Sequence, residues 1–188
     1  MASRTLVEAH RRDLRQLTSL AENDLRVIFG KFGAAEVARD GLLDVLPRLV
    51  NVYGSAAATL GADWYDEMRD VAKVRGRFSA IAADLPDIAR TNSLARWAVT
   101  PLFAAEPDFA TTLVKASGGL QMIIANADRQ TIQQSSVADR RARGWARAGT
   151  GRCDFCAMLI GRGAVYTEAT ANFETHDHCG CVAVPEFS

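Results

Sequence analysis

All four cysteines and two of the three histidines fall in the last 36 of the 188 residues, as Cys153-Asp-Phe-Cys156 and then His176-Asp-His-Cys-Gly-Cys181. No other feature restricts the fold as much. A segment this short cannot build a core of its own and needs a staple. A Cys-x2-Cys turn sets two thiolates at neighbouring corners of a tetrahedron, and a group returning after nineteen residues supplies the other two. The rival staple, disulfides, needs an oxidising compartment. The N-terminal stretch MASRTLVEAHRRDLR alternates charge and contains no apolar export segment. The expectation is a Zn2+ site in a soluble, cytoplasmic protein.

The second group offers more ligands than a tetrahedron can use. Cys153 and Cys156 are expected to be joined by two of His176, Cys179 and Cys181. His178 is read as a neighbour of the site or a surface residue. A catalytic zinc keeps an open position beside a carboxylate base. Here thiolates dominate, no His-Glu-x-x-His helix exists, and only proximity in sequence speaks for Glu174 or Asp177. The zinc is therefore read as structural and the protein as no enzyme. A nucleophilic Cys–His pair would need the metal reading to be wrong, and no third, orienting residue stands out.

The remaining residues read as a helical body over 1–150, with the zinc-stapled module at 151–188. Hydrophobic residues at 48% and charged residues at 23% are ordinary for one domain with a small appendage. The longest uncharged run, Leu49–Ala62, has 14 residues, short of the ~20 a membrane span needs. Thr5 and Glu8 fit a capping box that opens a helix with the stripe Leu6, His10, Leu14, Leu17, Ala21, Leu25 and Ile28. A second helix is expected from Asp44 as N-cap, with Pro47 in its first turn, to Val71. Shorter helices are expected over Pro86–Ala98 and Pro107–Lys115, each with Pro at its first position. Gly118-Gly119 should break the latter, and a further helix carries Leu120, Ile123, Ile124, Ala127 and Ile132. Past Cys156, runs bounded by glycine read as two or three short strands. The fold class is mainly α, with a C-terminal zinc-binding α/β or β-hairpin module.

The 22 basic and 22 acidic residues cancel overall but not locally. Arg129–Arg152 holds six arginines against Asp139 alone, and residues 153–188 hold Arg162 against five acids. Arg140, Arg141, Arg143 and Arg147 are candidates for contact with nucleic-acid phosphates or an acidic partner. No repeated aromatic spacing suggests stacking on bases, and a connector with solvated arginines is the plainer reading. Asp63, Asp66, Glu67 and Asp70 read as a solvated helix face with Arg69 and Lys73 as partners. Trp64, Tyr65 and Trp97 read as core or partner-facing anchors, and His10 as a half-buried, satisfied histidine.

The C-terminal half resembles a known family. The elements are Arg129-Gln-Thr-Ile132, Asp139, Gly144-Trp-Ala-Arg147, Cys153-Asp-Phe-Cys-Ala-Met-Leu159, Arg162-Gly-Ala-Val-Tyr166, His176-Asp-His-Cys-Gly-Cys181 and Pro185-Glu-Phe187. Together they look like the MuF-like minor capsid, or head-morphogenesis, proteins of tailed phages, in the form common among phages of actinobacteria. The likeness is specific over 129–187, looser over 44–110 and absent from the first forty residues. Where the broader family has His-Pro-x-Cys-Arg-Cys, Asp177 and Gly180 stand here in place of Pro and Arg. The resemblance implies a virion protein of low copy number inside the head near the portal, present in the host cytoplasm during assembly. It implies the portal protein as main partner, with major capsid protein and packaged DNA as further contacts, and no membrane.

Overall fold

The computed structural model describes residues 4–150, 154–163, 166–167, 173 and 179–188. Helix α1 spans Arg4–Phe29, and its buried face (His10, Leu14, Ala21, Leu25 and Phe29, with Arg11 and Thr18) keeps the three- and four-residue spacing of an amphipathic stripe. Thr5 already lies within the helix and is no cap. Glu8 turns its carboxylate to Arg11 Nη1, at 2.8 and 2.9 Å.

Helix α2 (Ala35–Leu49), a π-helical turn (Val50–Gly54) and α3 (Ser55–Val71) follow one another without a non-helical residue. Asp44, the expected start, is therefore mid-helix, and so is Pro47. A proline there deletes one backbone N–H bond and crowds the carbonyl four residues back. The helix nevertheless continues through Pro47 into the π turn that begins at Val50.

Helix α4 (Ile88–Ala98) is capped by Asp87, which accepts the Arg90 N–H at 2.8 Å. After a 3-10 turn at Thr100–Phe103 comes α5 (Phe109–Ala138), capped by Asp108 through the Thr111 N–H at 2.8 Å. Pro86 and Pro107 thus precede the caps instead of opening the helices. Gly118 and Gly119 do not break α5; both are buried within it. A Cβ at position 119 would stand 2.2 Å from Leu94 Cδ1. The missing side chain is where α4 presses against α5, and that packing offsets the ~1 kcal/mol a mid-helix glycine costs.

Helix α5 is the central element, packed against α1, α3, α4 and both strands. Leu25, Leu42, Leu46, Leu102, Leu120 and Ile124 fill the main core, and alanines at 38, 57, 58, 95, 98 and 116 let the helices approach closely. Strand β1 (Ala142–Ala148) pairs antiparallel with β2 (Val182–Phe187), setting Trp145 opposite Pro185 and Arg147 opposite Ala183. The sequence reading had a connector where β1 lies. Residues Asp154–Gly161 form helix α6, so the run directly after Cys156 is helical where short strands are expected from the sequence. The sheet joins residues on either side of the 150/151 boundary. Val182 and Val184 of β2 enter the main core while Ala183 enters a second cluster, as a two-residue period requires. Among the described residues no helix is long and apolar enough to cross a membrane.

Candidate metal centre

The second cluster is built differently from the first. Trp64, Tyr65 and Met68 of α3 and Ile132 of α5 meet Trp145, Cys156, Phe173, Cys179, Cys181 and Ala183. Cys156 sits in the first turn of α6, and Cys179 and Cys181 flank Gly180 just before β2. All three are buried, and their sulfurs lie within 4.8 Å of one another. The Cys156 and Cys179 sulfurs are 3.9 Å apart. A tetrahedral ion with metal–sulfur bonds of ~2.3 Å sets neighbouring sulfurs ~3.8 Å apart. The three cysteines therefore lie where a metal ion can be held. Of the five sequence candidates the structure brings these three together. Cys153 and His176 lie outside the described residues, as does His178.

Two arginines hold the cysteine loop in place. Arg129 of α5 donates from Nε to the Cys181 carbonyl at 3.0 Å and from Nη2 to the Cys179 carbonyl at 2.6 Å, and its Nη1 reaches Asn126 Oδ1 at 2.9 Å. Arg11 of α1 donates from Nε to the Gly180 carbonyl at 3.0 Å. Three successive carbonyls over 179–181 are thus each met by a guanidinium donor. Cys179 and Cys181 are buried, so their backbone acceptors must be paired, and a planar fork with several donors is suited to pairing two at once. Arg129 also lies over the Phe173 ring at 4.9 Å, and Arg147 over the same ring at 3.9 Å. Trp145 stacks between Phe173 and Tyr166, with centroids 5.4 and 4.5 Å away.

The electrostatics follow from this geometry. Burial pushes the Arg129 pKa down, against the pull of Cys179, Asp128 and Cys181. The Cys179 thiol is pushed well down, first by the hydrogen bond from the Cys181 thiol, then by the Cys181 backbone N–H and the Arg129 charge. The Cys181 thiol is pushed up in turn, by that same hydrogen bond and by burial. The buried Arg129 cation beside Cys179 favours a thiolate there. Thiolate is the form a metal binds.

The clamp is anchored by the residues next to it in sequence. His10 Nε2 lies 3.0 Å from Asp128 Oδ1, a close approach without the alignment of a hydrogen bond, and both residues are buried. The His10 ring stacks on Trp64 at 4.6 Å and 9°. Gly61 of α3 lets α5 come close here, since a Cβ would stand 2.7 Å from the Asp128 carbonyl oxygen. On α1 and α5 alike, one residue joins the helices and the next grips the cysteine loop. Sequence reasoning missed Arg11 and Arg129 as supports. The available signal was a charged residue at a buried register position, which needs a specific partner.

The other candidates separate by burial. Arg140, Arg141 and Arg143 are exposed. Arg147 is buried at 4% exposure against Phe173, which removes it from any surface contact. Arg69 is no partner of the α3 carboxylates: it is buried and donates from Nε to Asp139 Oδ2 at 2.7 Å. Of those carboxylates, Asp66 accepts from Ser79 Oγ at 2.8 Å and from the Ala80 N–H at 3.0 Å. Trp97 is half exposed beneath the Lys115 ammonium at 4.2 Å.

A family model described as VG15 protein matches residues 1–188. No curated protein and no solved structure matches the chain.

Proposed function

This chain belongs to the VG15 family, a family of phage-encoded proteins, and on that premise we propose that it is a minor capsid (head-morphogenesis) protein of a tailed phage. In this reading it sits inside the head near the portal, which is its main partner, and assists head assembly and the packaging or delivery of DNA. The observation that carries the reading is the burial of Cys156, Cys179 and Cys181 beneath the arginine clamp. A metal enclosed in this way serves to fix a shape, whereas a catalytic one needs an open coordination position. The ion is Zn2+, with Cys156, Cys179 and Cys181 as three ligands and one of Cys153 and His176 as the fourth. The module is a docking and folding element, and the protein has no catalytic role. The MuF-like motifs of residues 129–187 support the same assignment.

The test is cross-linking mass spectrometry on purified virions. The reading requires the protein at a few copies per particle, cross-linked to the portal protein. Its absence from particles that package normally would sink the assignment. Native mass spectrometry of the chelator-free protein tests the metal separately, with one zinc per chain expected.

A further inference from the structure

Away from the cysteine cluster, Arg69, Arg75, Arg77, Asp139, Arg140 and Arg141 line a cavity of about 300 Å³. One wall is the connector after α3 and the other is the turn between α5 and β1. Five guanidinium groups face this space against one carboxylate. Asp139 is already committed: its Oδ2 accepts from Arg69 Nε and from the Tyr65 hydroxyl at 3.2 Å, and its Oδ1 accepts the Arg141 backbone N–H at 2.9 Å. Those bonds brace both walls, because Arg69 also reaches the Gly76 carbonyl at 3.5 Å. The side chains of Arg75, Arg77, Arg140 and Arg141 are exposed. None of the four has an ion-pair or hydrogen-bond partner among the described residues. In a chain whose total charge is zero, this is a local concentration of positive charge held on a braced scaffold.

We propose that this cleft binds the phosphate backbone of a nucleic acid, gripped from one side by Arg75 and Arg77 and from the other by Arg140 and Arg141. Arginine forks match phosphate oxygens bidentately. A single carboxylate on a protein partner would leave most of the four cations unanswered, whereas a strand presents one negative charge every ~3.4 Å. The aromatic ring of the cleft, Phe78, is taken up beneath Arg69 at 5.4 Å and beside Tyr65 at 5.6 Å. The cleft therefore offers no free ring for a base, and binding should not depend on sequence. The inference does not rest on a place in the virion. It also differs from a contact along residues 129–152, because half of the grip comes from the connector after α3.

The test is fluorescence anisotropy of the full-length, metal-loaded protein with a labelled 20-mer, double- and single-stranded, between 50 and 200 mM salt. Four phosphate contacts predict that affinity for duplex falls by about 100-fold across that range, with a log–log slope near −3.6. Arg75→Ala and Arg140→Ala should each lower the slope by about one. The pairs R75E/R77E and R140E/R141E should each weaken binding more than ~10-fold with unchanged circular dichroism and melting temperature. The same charge change at Arg15 and Lys31, outside the cleft, should weaken it far less. Four results would overturn the proposal. The first is no binding at 50 mM salt, and the second is equal losses for cleft and control variants. The third is displacement by polyglutamate as effective as by unlabelled DNA, which would assign the cleft to an acidic protein. Inorganic phosphate that shifts the melting temperature while DNA does not bind would likewise replace the backbone with a free anion.

Discussion

The two cores of this protein are neighbours and yet are held by different physics. The main core, among α1 to α5 with Val182 and Val184 of β2, is aliphatic and alanine-rich, and its stability comes from apolar burial that has no preferred direction. The second core is a set of aimed contacts: three sulfurs, two arginines on three carbonyls, and a ring sandwich of Tyr166, Trp145 and Phe173. Chain length explains the difference. The helices supply long apolar stripes, whereas the tail is short and must fix its shape with directional bonds. Burial can tolerate a changed side chain of similar volume. A directional site loses several bonds with one.

The sharpest way to test that contrast, given the metal site proposed above, is to remove one of its sulfurs. Cys156→Ser, or removal of metal by a chelator, should unfold the second core and leave the first standing. Metal binding is worth roughly 10–16 kcal/mol in isolated zinc modules, so the loss should exceed that of any single aliphatic substitution. Hydrogen exchange should show amide protection collapsing at β1, α6 and β2 while α1 to α5 stay protected. Uniform loss across all helices would mean that the two cores fold as one cooperative unit, and the comparison would fail.

A smaller effect separates the clamp from the metal. Arg129→Leu keeps bulk but leaves the Cys179 and Cys181 carbonyls without their donor and Cys179 without its nearby cation. Leaving two buried carbonyls unpaired costs about 1–3 kcal/mol each. Metal stoichiometry should fall with it, by native mass spectrometry. Leu120→Ala in the main core should cost a comparable 2–5 kcal/mol in chemical denaturation and leave the metal in place. If Arg129→Leu also retains full metal, the arginine supports the fold without supporting the site.

What the sequence made legible follows the same divide. The stripe on α1 and the aliphatic core were readable because apolar periodicity is a local signal repeated over many residues. Cys156, Cys179 and Cys181 were readable because their spacing encodes the return of the chain. Pro47 and Gly118-Gly119 misled: Pro47 lies inside an unbroken helical run from α2 into α3, and a close α4–α5 contact overrode the preference of the glycines. Strand β1 was hidden because Arg143 and Arg147 interrupt its pattern, and only pairing with Val182–Phe187 makes it a strand. Arg129 bonding Cys179, and Arg69 bonding Asp139, are contacts between residues 50 and 70 positions apart. No local pattern announces such a pair.

The smallest expected effect tests whether the Asp139 network belongs to the directional half. Tyr65 is fully buried, and its hydroxyl donates to Asp139 Oδ2 at 3.2 Å. Burial, with the adjacent Asp139 charge, pushes its pKa far above the ordinary phenol value. In the unfolded chain Tyr65 ionises near pH 10, while in the folded chain it keeps its proton. Above that pH the unfolded state binds fewer protons than the folded one, so the stability contributed by Tyr65 is complete below pH ~10 and declines as pH rises. The slope is up to ~1.4 kcal/mol per pH unit. Tyr65→Phe removes one hydrogen bond, about 1 kcal/mol at neutral pH, and with it that alkaline slope. Urea denaturation of both proteins from pH 8 to 11 should therefore give curves that converge as pH rises. Parallel curves would mean that the phenol ionises as readily in the folded protein as in the unfolded one. The Tyr65–Asp139 contact would then belong with the tolerant, undirected packing of the first core.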